Sequence, residues 1–141
     1  MILTNRKSCH SCLQTQWTVN GGKCGVCGDP WKGARANEAG GKYATGTIVG
    51  KYTSGQKISV KVQVTASHRG YFEFRLCPVN SPHQPATHAC LDRHLLRRPN
   101  GQTKFKEPGS SGTYTVDLML PHGLVCKQCV LQWKWNTGEE K

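Results

Sequence analysis

The sequence lacks any apolar run long enough to cross a membrane, and its opening segment, Met1 to Lys7, has no hydrophobic stretch that could act in a signal peptide. It also lacks the G-x-S-x-G and H-E-x-x-H motifs and a glycine-rich phosphate-binding loop. Nothing in the pattern brings Glu73 and Asp92 together as the two acids of a glycoside hydrolase. These absences disfavour a membrane protein and a hydrolase.

Acidic residues are scarce, because 8 Asp and Glu stand against 19 Lys and Arg and give a formal net charge of +11. This balance favours attraction to nucleic acid, acidic glycans or membranes. No run of basic residues is longer than Arg97-Arg98, however, so a solubilising surface spread over many loops explains the charge equally well. Charge alone therefore selects no partner.

Helical periodicity is also nearly missing, since only Ala89 to Leu96 could form a short helical turn. Apolar and polar residues alternate instead in several segments, which predicts strands near 47–52, 57–65, 71–77, 113–120 and 129–135. The first 45 residues predict a long, cross-linked loop region. The 141 residues therefore predict one all-β domain, an antiparallel β-sandwich of the immunoglobulin-like or fibronectin-III-like type with long disulfide-linked loops.

The eight cysteines point either to disulfides in an oxidising compartment or to metal sites. Three pairs have C-x-x-C spacing, and the first two pairs could close a zinc ribbon: Cys9/Cys12, Cys24/Cys27 and Cys126/Cys129. Cys77 and Cys90 bracket a proline-rich loop, which is more typical of a disulfide worth about 3 kcal/mol. We predict that these two are joined and that most of the other cysteines are oxidised, with their pairing left open.

One of the six histidines stands in a setting that suits a metal ligand. His68 follows the clearest predicted strand, in the turn Ser67-His68-Arg69-Gly70, where a side chain can project from a rigid sheet edge. A single imidazole does not hold copper or zinc by itself. The other histidines fall in loops or turns, where a surface role is more usual: His10, His83, His88, His94 and His122.

Aromatic side chains offer a possible stacking face for sugars or bases. Trp31 and Tyr43 lie in a glycine-rich loop and are expected to be exposed, whereas Trp133 falls in an alternating strand and is predicted to be core. We take Trp31 and Tyr43 as the candidate substrate-binding residues.

Several motifs in the same order resemble the animal lytic polysaccharide monooxygenases, also known as chitin-binding type-4 domains. The resemblance covers about residues 14 to 138, and its motifs are NGGKCGVCGD at 20–29, EAGGKY at 38–43, VTASHRG at 64–70, FEFRLCP at 72–78, CLDR at 90–93 and CKQCVLQW at 126–133. It implies a secreted protein with a flat face that lies on crystalline chitin or cellulose. It also implies a single copper held by the mature N-terminal histidine and a second histidine, which His68 matches, although Ser67 replaces the more usual Asn.

The sequence departs from this family at both ends. No histidine precedes Cys9, His10 is a poor substitute for the family's first residue, and the chain stops at Lys141, before the segment that carries the family's axial aromatic residue. We therefore expect weak copper binding and no oxidised products from residues 1–141 as written. A copper monooxygenase core and a non-catalytic polysaccharide-binding module both stay open. A zinc-ribbon nucleic-acid binder is the least favoured alternative, and we expect a monomer with no nucleic-acid or membrane partner.

Overall fold

The chain folds almost entirely into strands in the computed structural model, which describes residues 2–4, 23–29 and 31–138. Six strands and one short helix occur in these ranges: β1 Ile2–Thr4, β2 Lys57–Val64, β3 Tyr71–Pro78, α1 His88–Asp92, β4 Phe105–Lys106, β5 Gly112–Met119 and β6 Cys129–Asn136. No helix in the described ranges is long and apolar enough to span a membrane. The all-β sandwich predicted from the sequence is confirmed.

The strands form two sheets with different sizes. One sheet has four strands in the order β1-β6-β3-β4, and the other pairs β2 with β5. Strands β3 and β6 run antiparallel along their full length, from Tyr71 opposite Asn136 to Pro78 opposite Cys129. The ends of these two strands therefore define two opposite ends of the larger sheet.

Four of the five predicted strands are confirmed with boundaries that differ by one residue or less at either end. The prediction of a strand at 47–52 is wrong, because this segment is irregular and pairs with no strand in the described part of the chain. Its large apolar residues stay exposed: Ile48, Val49 and Tyr52. The first 45 residues also contain one strand that was not predicted, β1, which pairs in parallel with β6.

A core of alternating side chains fills the space between the sheets. In β2 the buried residues are Ile58, Val62 and Val64, and the residues between them face solvent or are only partly buried. These side chains pack with buried Phe72 and Leu131 from the larger sheet. Burying a side chain of this size contributes about 1.5–3 kcal/mol, so the alternation is sufficient to drive this face of each strand inward.

A second, smaller cluster covers the outer face of the larger sheet at its Pro78 end. It joins Val26 and Cys27 from the glycine-rich loop to Val79, Leu91 and Val130. The disulfide between the predicted partners Cys77 and Cys90 lies in this cluster, with 5.5 Å between their Cα atoms. A second disulfide joins Cys126 to Cys129.

We expect the Cys77→Ala, Cys90→Ala double variant to lose about 3 kcal/mol of unfolding free energy. The bond closes a loop between residues that are 13 positions apart, so it limits the freedom of the unfolded chain. In urea denaturation the midpoint should fall by about 1.5 M, for a slope of about 2 kcal/mol per M. An unchanged midpoint would mean that the bond adds no stability.

Candidate metal site

The candidate site is the turn Ser67-His68-Arg69-Gly70, which links β2 to β3. Arg69 and Gly70 both have positive φ angles, 55° and 84°. A side chain at Gly70 would collide with the backbone of Asn136, Thr137 and Gly138, so glycine is needed for this close approach. The turn therefore lies directly against the chain that leaves β6.

Three hydrogen bonds from other segments fix the backbone of this turn. The indole Nε1 of Trp135 donates to the Arg69 carbonyl at 2.7 Å, and the Gly138 N–H donates to the His68 carbonyl at 3.0 Å. The Glu107 N–H donates to the Gly70 carbonyl at 2.9 Å. The backbone that carries the His68 ring is thus held from two sides.

The carboxylate of Glu107 also holds the turn through a side-chain contact. Glu107 is buried, and it accepts the Ser67 hydroxyl at 2.7 Å and the Gly109 N–H at 2.8 Å. Hydrogen bonds to a carboxylate are stronger than those between neutral groups. The residue next to His68 is therefore anchored to a segment 40 positions away in the sequence.

The His68 imidazole packs against the indole of Trp135. Their ring centroids are 5.3 Å apart and the rings are tilted by 53°, which is within the range of favourable aromatic pairs. His68 is partly exposed, so its ring combines a fixed neighbour with access to solvent. This arrangement limits the rotamers of the imidazole at the edge of the sheet.

The chemistry of this donor fits one position of a copper site. Imidazole nitrogen suits copper and zinc, and a ring held by its neighbours binds a metal better than a freely rotating ring. Within residues 23–29 and 31–138, no three His, Cys, Asp or Glu side chains come together to hold a metal ion. The described residues therefore offer one imidazole at this turn and no complete set of metal ligands.

The candidate substrate-binding residues lie at the other end of the larger sheet from His68. Tyr43 lines the same cavity as Val79 and Val130, which lie at the Pro78 end of the sheet. The centroid of the Trp31 ring lies 6.4 Å from that of His88, at the start of α1. Strand β3 separates this end from the His68 turn by roughly 20 Å, at about 3.3 Å per residue. The structure thus does not bring Trp31 or Tyr43 together with His68.

Both rings are exposed, at 38% for Trp31 and 62% for Tyr43, but cations lie over each of them. The Trp31 centroid is 5.6 Å from the Lys23 ammonium and 5.3 Å from the Arg35 guanidinium. The Lys42 ammonium lies 5.3 Å from the Tyr43 centroid. A sugar stacking on either ring would have to use the face that these cations leave open.

Two residues that fix the site, Trp135 and Glu107, were not assigned to it from the sequence. Trp135 has the spacing of a core residue in an alternating strand, and nothing in the sequence connects Glu107 with Ser67. Residues Cys9, His10 and Cys12 lie outside the described residues, so the zinc-ribbon alternative and the expectation that His10 is a poor copper ligand stay sequence predictions.

Residues 4–141 match a family profile described as lytic polysaccharide mono-oxygenase, cellulose-degrading. A solved structure of the AA15 lytic polysaccharide monooxygenase from Thermobia domestica in the Cu(I) state is similar, with a TM-score of 0.87 and 47% sequence identity. The match covers 90% of this chain and 67% of that chain. No curated protein matches the chain.

Proposed function

Because the chain belongs to the lytic polysaccharide monooxygenase family, we propose that it acts on chitin, with His68 as one of its copper ligands. The family is one of polysaccharide-active copper monooxygenases. The observation that carries the role of His68 is its turn, in which the imidazole packs against Trp135 and the backbone is fixed from two sides.

Copper, when bound, supplies the activation of oxygen or peroxide that breaks a C–H bond at the glycosidic linkage. The residues of the turn hold and orient the imidazole. Trp135 packs on the ring, Ser67 is tied to Glu107, and Gly70 allows the turn to lie against the chain after β6. The protein thereby sets the position of one nitrogen donor before any metal arrives.

Chitin is the proposed substrate because the sequence motifs resemble those of the chitin-active animal members, whereas the family profile is described as cellulose-degrading. Cellulose is therefore the alternative. Trp31 and Tyr43 remain the proposed contacts with the polysaccharide, supported by their exposure. Because Trp31 and Tyr43 lie at the other end of the larger sheet from His68, the polysaccharide would contact the protein at two separate places.

Secretion is part of the same proposal, and the two disulfides support it. Disulfides form and persist in oxidising compartments and are rare in the cytosol. We also propose that the protein acts as a monomer.

A pull-down on insoluble β-chitin tests the proposed substrate. We expect the protein to be retained on β-chitin more strongly than on microcrystalline cellulose, in 0.5 M NaCl to screen the charge of +11. Equal or stronger retention on cellulose would reverse the proposed order of substrates. No retention on either solid above a dextran control would contradict polysaccharide binding.

An assay for oxidised oligosaccharides, with copper and a reductant, tests the expectation that residues 1–141 as written release no oxidised products. Oxidised chito-oligosaccharides that require both additions would support the enzyme and overturn that expectation. Binding to chitin without such products is expected of residues 1–141 under either hypothesis, so it would support polysaccharide binding alone.

A further inference from the structure

A basic segment spans residues 97–106 and ends in β4, the edge strand of the larger sheet. It carries four cations and no acidic residue: Arg97, Arg98, Lys104 and Lys106. Arg97, Lys104 and Lys106 are exposed, and Arg98 is partly exposed. Part of the net charge of +11 is therefore concentrated at one edge of the fold.

No carboxylate of the described residues forms a salt bridge with these cations. The salt bridges within the described ranges all lie elsewhere: Arg35–Glu38, Arg75–Glu73 and Arg75–Asp92. Glu107 directly follows the basic segment, but its buried carboxylate accepts the Ser67 hydroxyl and the Gly109 N–H. The positive charge of the segment is thus unopposed in the described part of the chain.

Hydrogen bonds within the basic segment fix its two arginines. The Gly101 N–H donates to the Arg98 carbonyl at 2.8 Å, and the Arg98 N–H donates to the Gln102 carbonyl at 2.8 Å. The Arg97 guanidinium donates to the Gly101 carbonyl at 3.0 Å. A closed turn with oriented side chains loses less conformational entropy when a ligand binds, so these cations are prepared for binding.

Aromatic rings of the fold hold the two lysines. The Lys104 ammonium lies 4.4 Å from the centroid of Tyr71, and Lys106 pairs with Tyr71 across β3 and β4. Between the lysines, Phe105 stacks on the buried Phe72, with 5.9 Å between the ring centroids. Because side chains alternate along an extended segment, Phe105 points into the core and both lysines lie on the outer face of the sheet.

The basic segment lacks the features that membranes, single-stranded nucleic acids and most proteins bind. None of the large apolar side chains exposed in the described ranges belongs to it, so it offers no apolar anchor for a membrane and no apolar centre for a protein interface. Phe105 is covered by Arg98, at 5.1 Å from its centroid, and by Phe72. No open ring is therefore left in the segment on which a base could stack.

We infer that the basic segment is a binding surface for an acidic polysaccharide. Its sulfate or carboxylate groups pair with the lysine ammonium groups as point charges and with the arginine guanidinium groups through paired hydrogen bonds. A linear chain with repeated negative charge needs neither an apolar anchor nor a stacking ring. The two disulfides favour an oxidising compartment, where acidic glycans and not nucleic acids are the usual polyanions. Because chitin is uncharged, this surface does not rest on the proposed function.

The test measures binding of the 141-residue chain to a fluorescently labelled heparin oligosaccharide by anisotropy, with EDTA present so that no metal contributes. The logarithm of the association constant should fall linearly with the logarithm of the NaCl concentration, because binding releases counterions. At about 0.15 M NaCl the Lys104→Gln, Lys106→Gln double variant should bind at least about fivefold more weakly. Its salt slope should be shallower by about 1–2, since two ionic contacts are lost.

The matched control is the Lys32→Gln, Lys127→Gln double variant. Both lysines are exposed and lie at the Pro78 end of the larger sheet, where the Lys127 N–H donates to Asn80 and Lys32 follows Trp31. The two double variants carry the same net charge, so a difference between them measures position. The control should bind heparin within about twofold of the unchanged chain. Lys104→Arg, Lys106→Arg keeps both charges and should retain the affinity.

Equal losses in the two double variants would show attraction by net charge alone and would overturn the surface. Tighter binding to a DNA duplex than to heparin would assign the segment to nucleic acid, and equal binding to phosphatidylserine vesicles would assign it to a membrane. Either result would overturn the acidic polysaccharide. Retention on β-chitin without heparin binding would remove this surface and leave the proposed function intact, and heparin binding without retention on chitin would do the reverse.

Discussion

Replacing His68 with alanine should remove the copper-specific response of the turn that carries it. Cu²⁺ is paramagnetic and broadens the NMR signals of nearby nuclei, so small additions should first weaken the amide signals of Arg69 and Gly70. In His68→Ala the same weakening of these signals should need at least about tenfold more copper. Losing a residue that only hydrogen-bonds to a metal ligand already lowers metal affinity by about tenfold or more, so losing the ligand itself should lower the affinity by at least as much. The physical cause is the removal of an imidazole nitrogen that the fold holds in place.

His122→Ala is the matched control, because His122 is also a turn histidine but is exposed and has no part in the His68 site. This variant should leave the response of Arg69 and Gly70 unchanged. If His68→Ala and His122→Ala behave alike, copper binds the chain without preference and the assignment of His68 as a ligand fails.

The anchoring contact between Ser67 and Glu107 gives the same experiment a second arm. Ser67→Ala keeps the imidazole but removes the hydroxyl that donates to the buried carboxylate. We expect a smaller loss of copper response than in His68→Ala, and recovery in Ser67→Thr, which retains a hydroxyl. A purely structural role would lower stability in Ser67→Ala without changing the amount of copper needed.

The strands could be predicted because their apolar residues repeat with the period of the sheet. The same signal failed at 47–52, since an apolar pattern describes side chains and not the presence of a partner strand. Ile48 and Val49 remain 40% and 56% exposed, and the segment forms no strand within the described part of the chain. Strand β1 was missed because three residues are too few to show any period.

The position of His68 at the end of a strand could also be predicted, but not what holds it there. The contacts of Glu107 with Ser67 and of Trp135 with Arg69 join residues 40 and 66 positions apart, and local pattern carries no information at such separations. Gln128 is a similar case. It lies between the two cysteines of a C-x-x-C pair, and nothing in that spacing indicates that its amide is buried beside a cavity.

Replacing Phe72 with alanine should cause the largest loss of stability among the single substitutions considered. Phe72 is fully buried at 0% exposure, and its ring lies 5.9 Å from Phe105, 5.4 Å from Trp133 and 5.5 Å from Trp135, measured between centroids. Removing it leaves a cavity among rings that cannot all close in, which costs about 3–5 kcal/mol. That is a large fraction of the roughly 5–15 kcal/mol that stabilises a typical domain.

Urea denaturation followed by tryptophan fluorescence measures this loss directly, because two of the rings around Phe72 are indoles. Phe72→Leu retains much of the volume and should cost less, and the exposed Tyr52→Ala should change stability by no more than about 0.5 kcal/mol. Since Trp135 contacts both Phe72 and His68, Phe72→Ala should also weaken the copper response of the turn. A Phe72→Ala protein that keeps its full stability would show that the aromatic cluster is not the centre of the core.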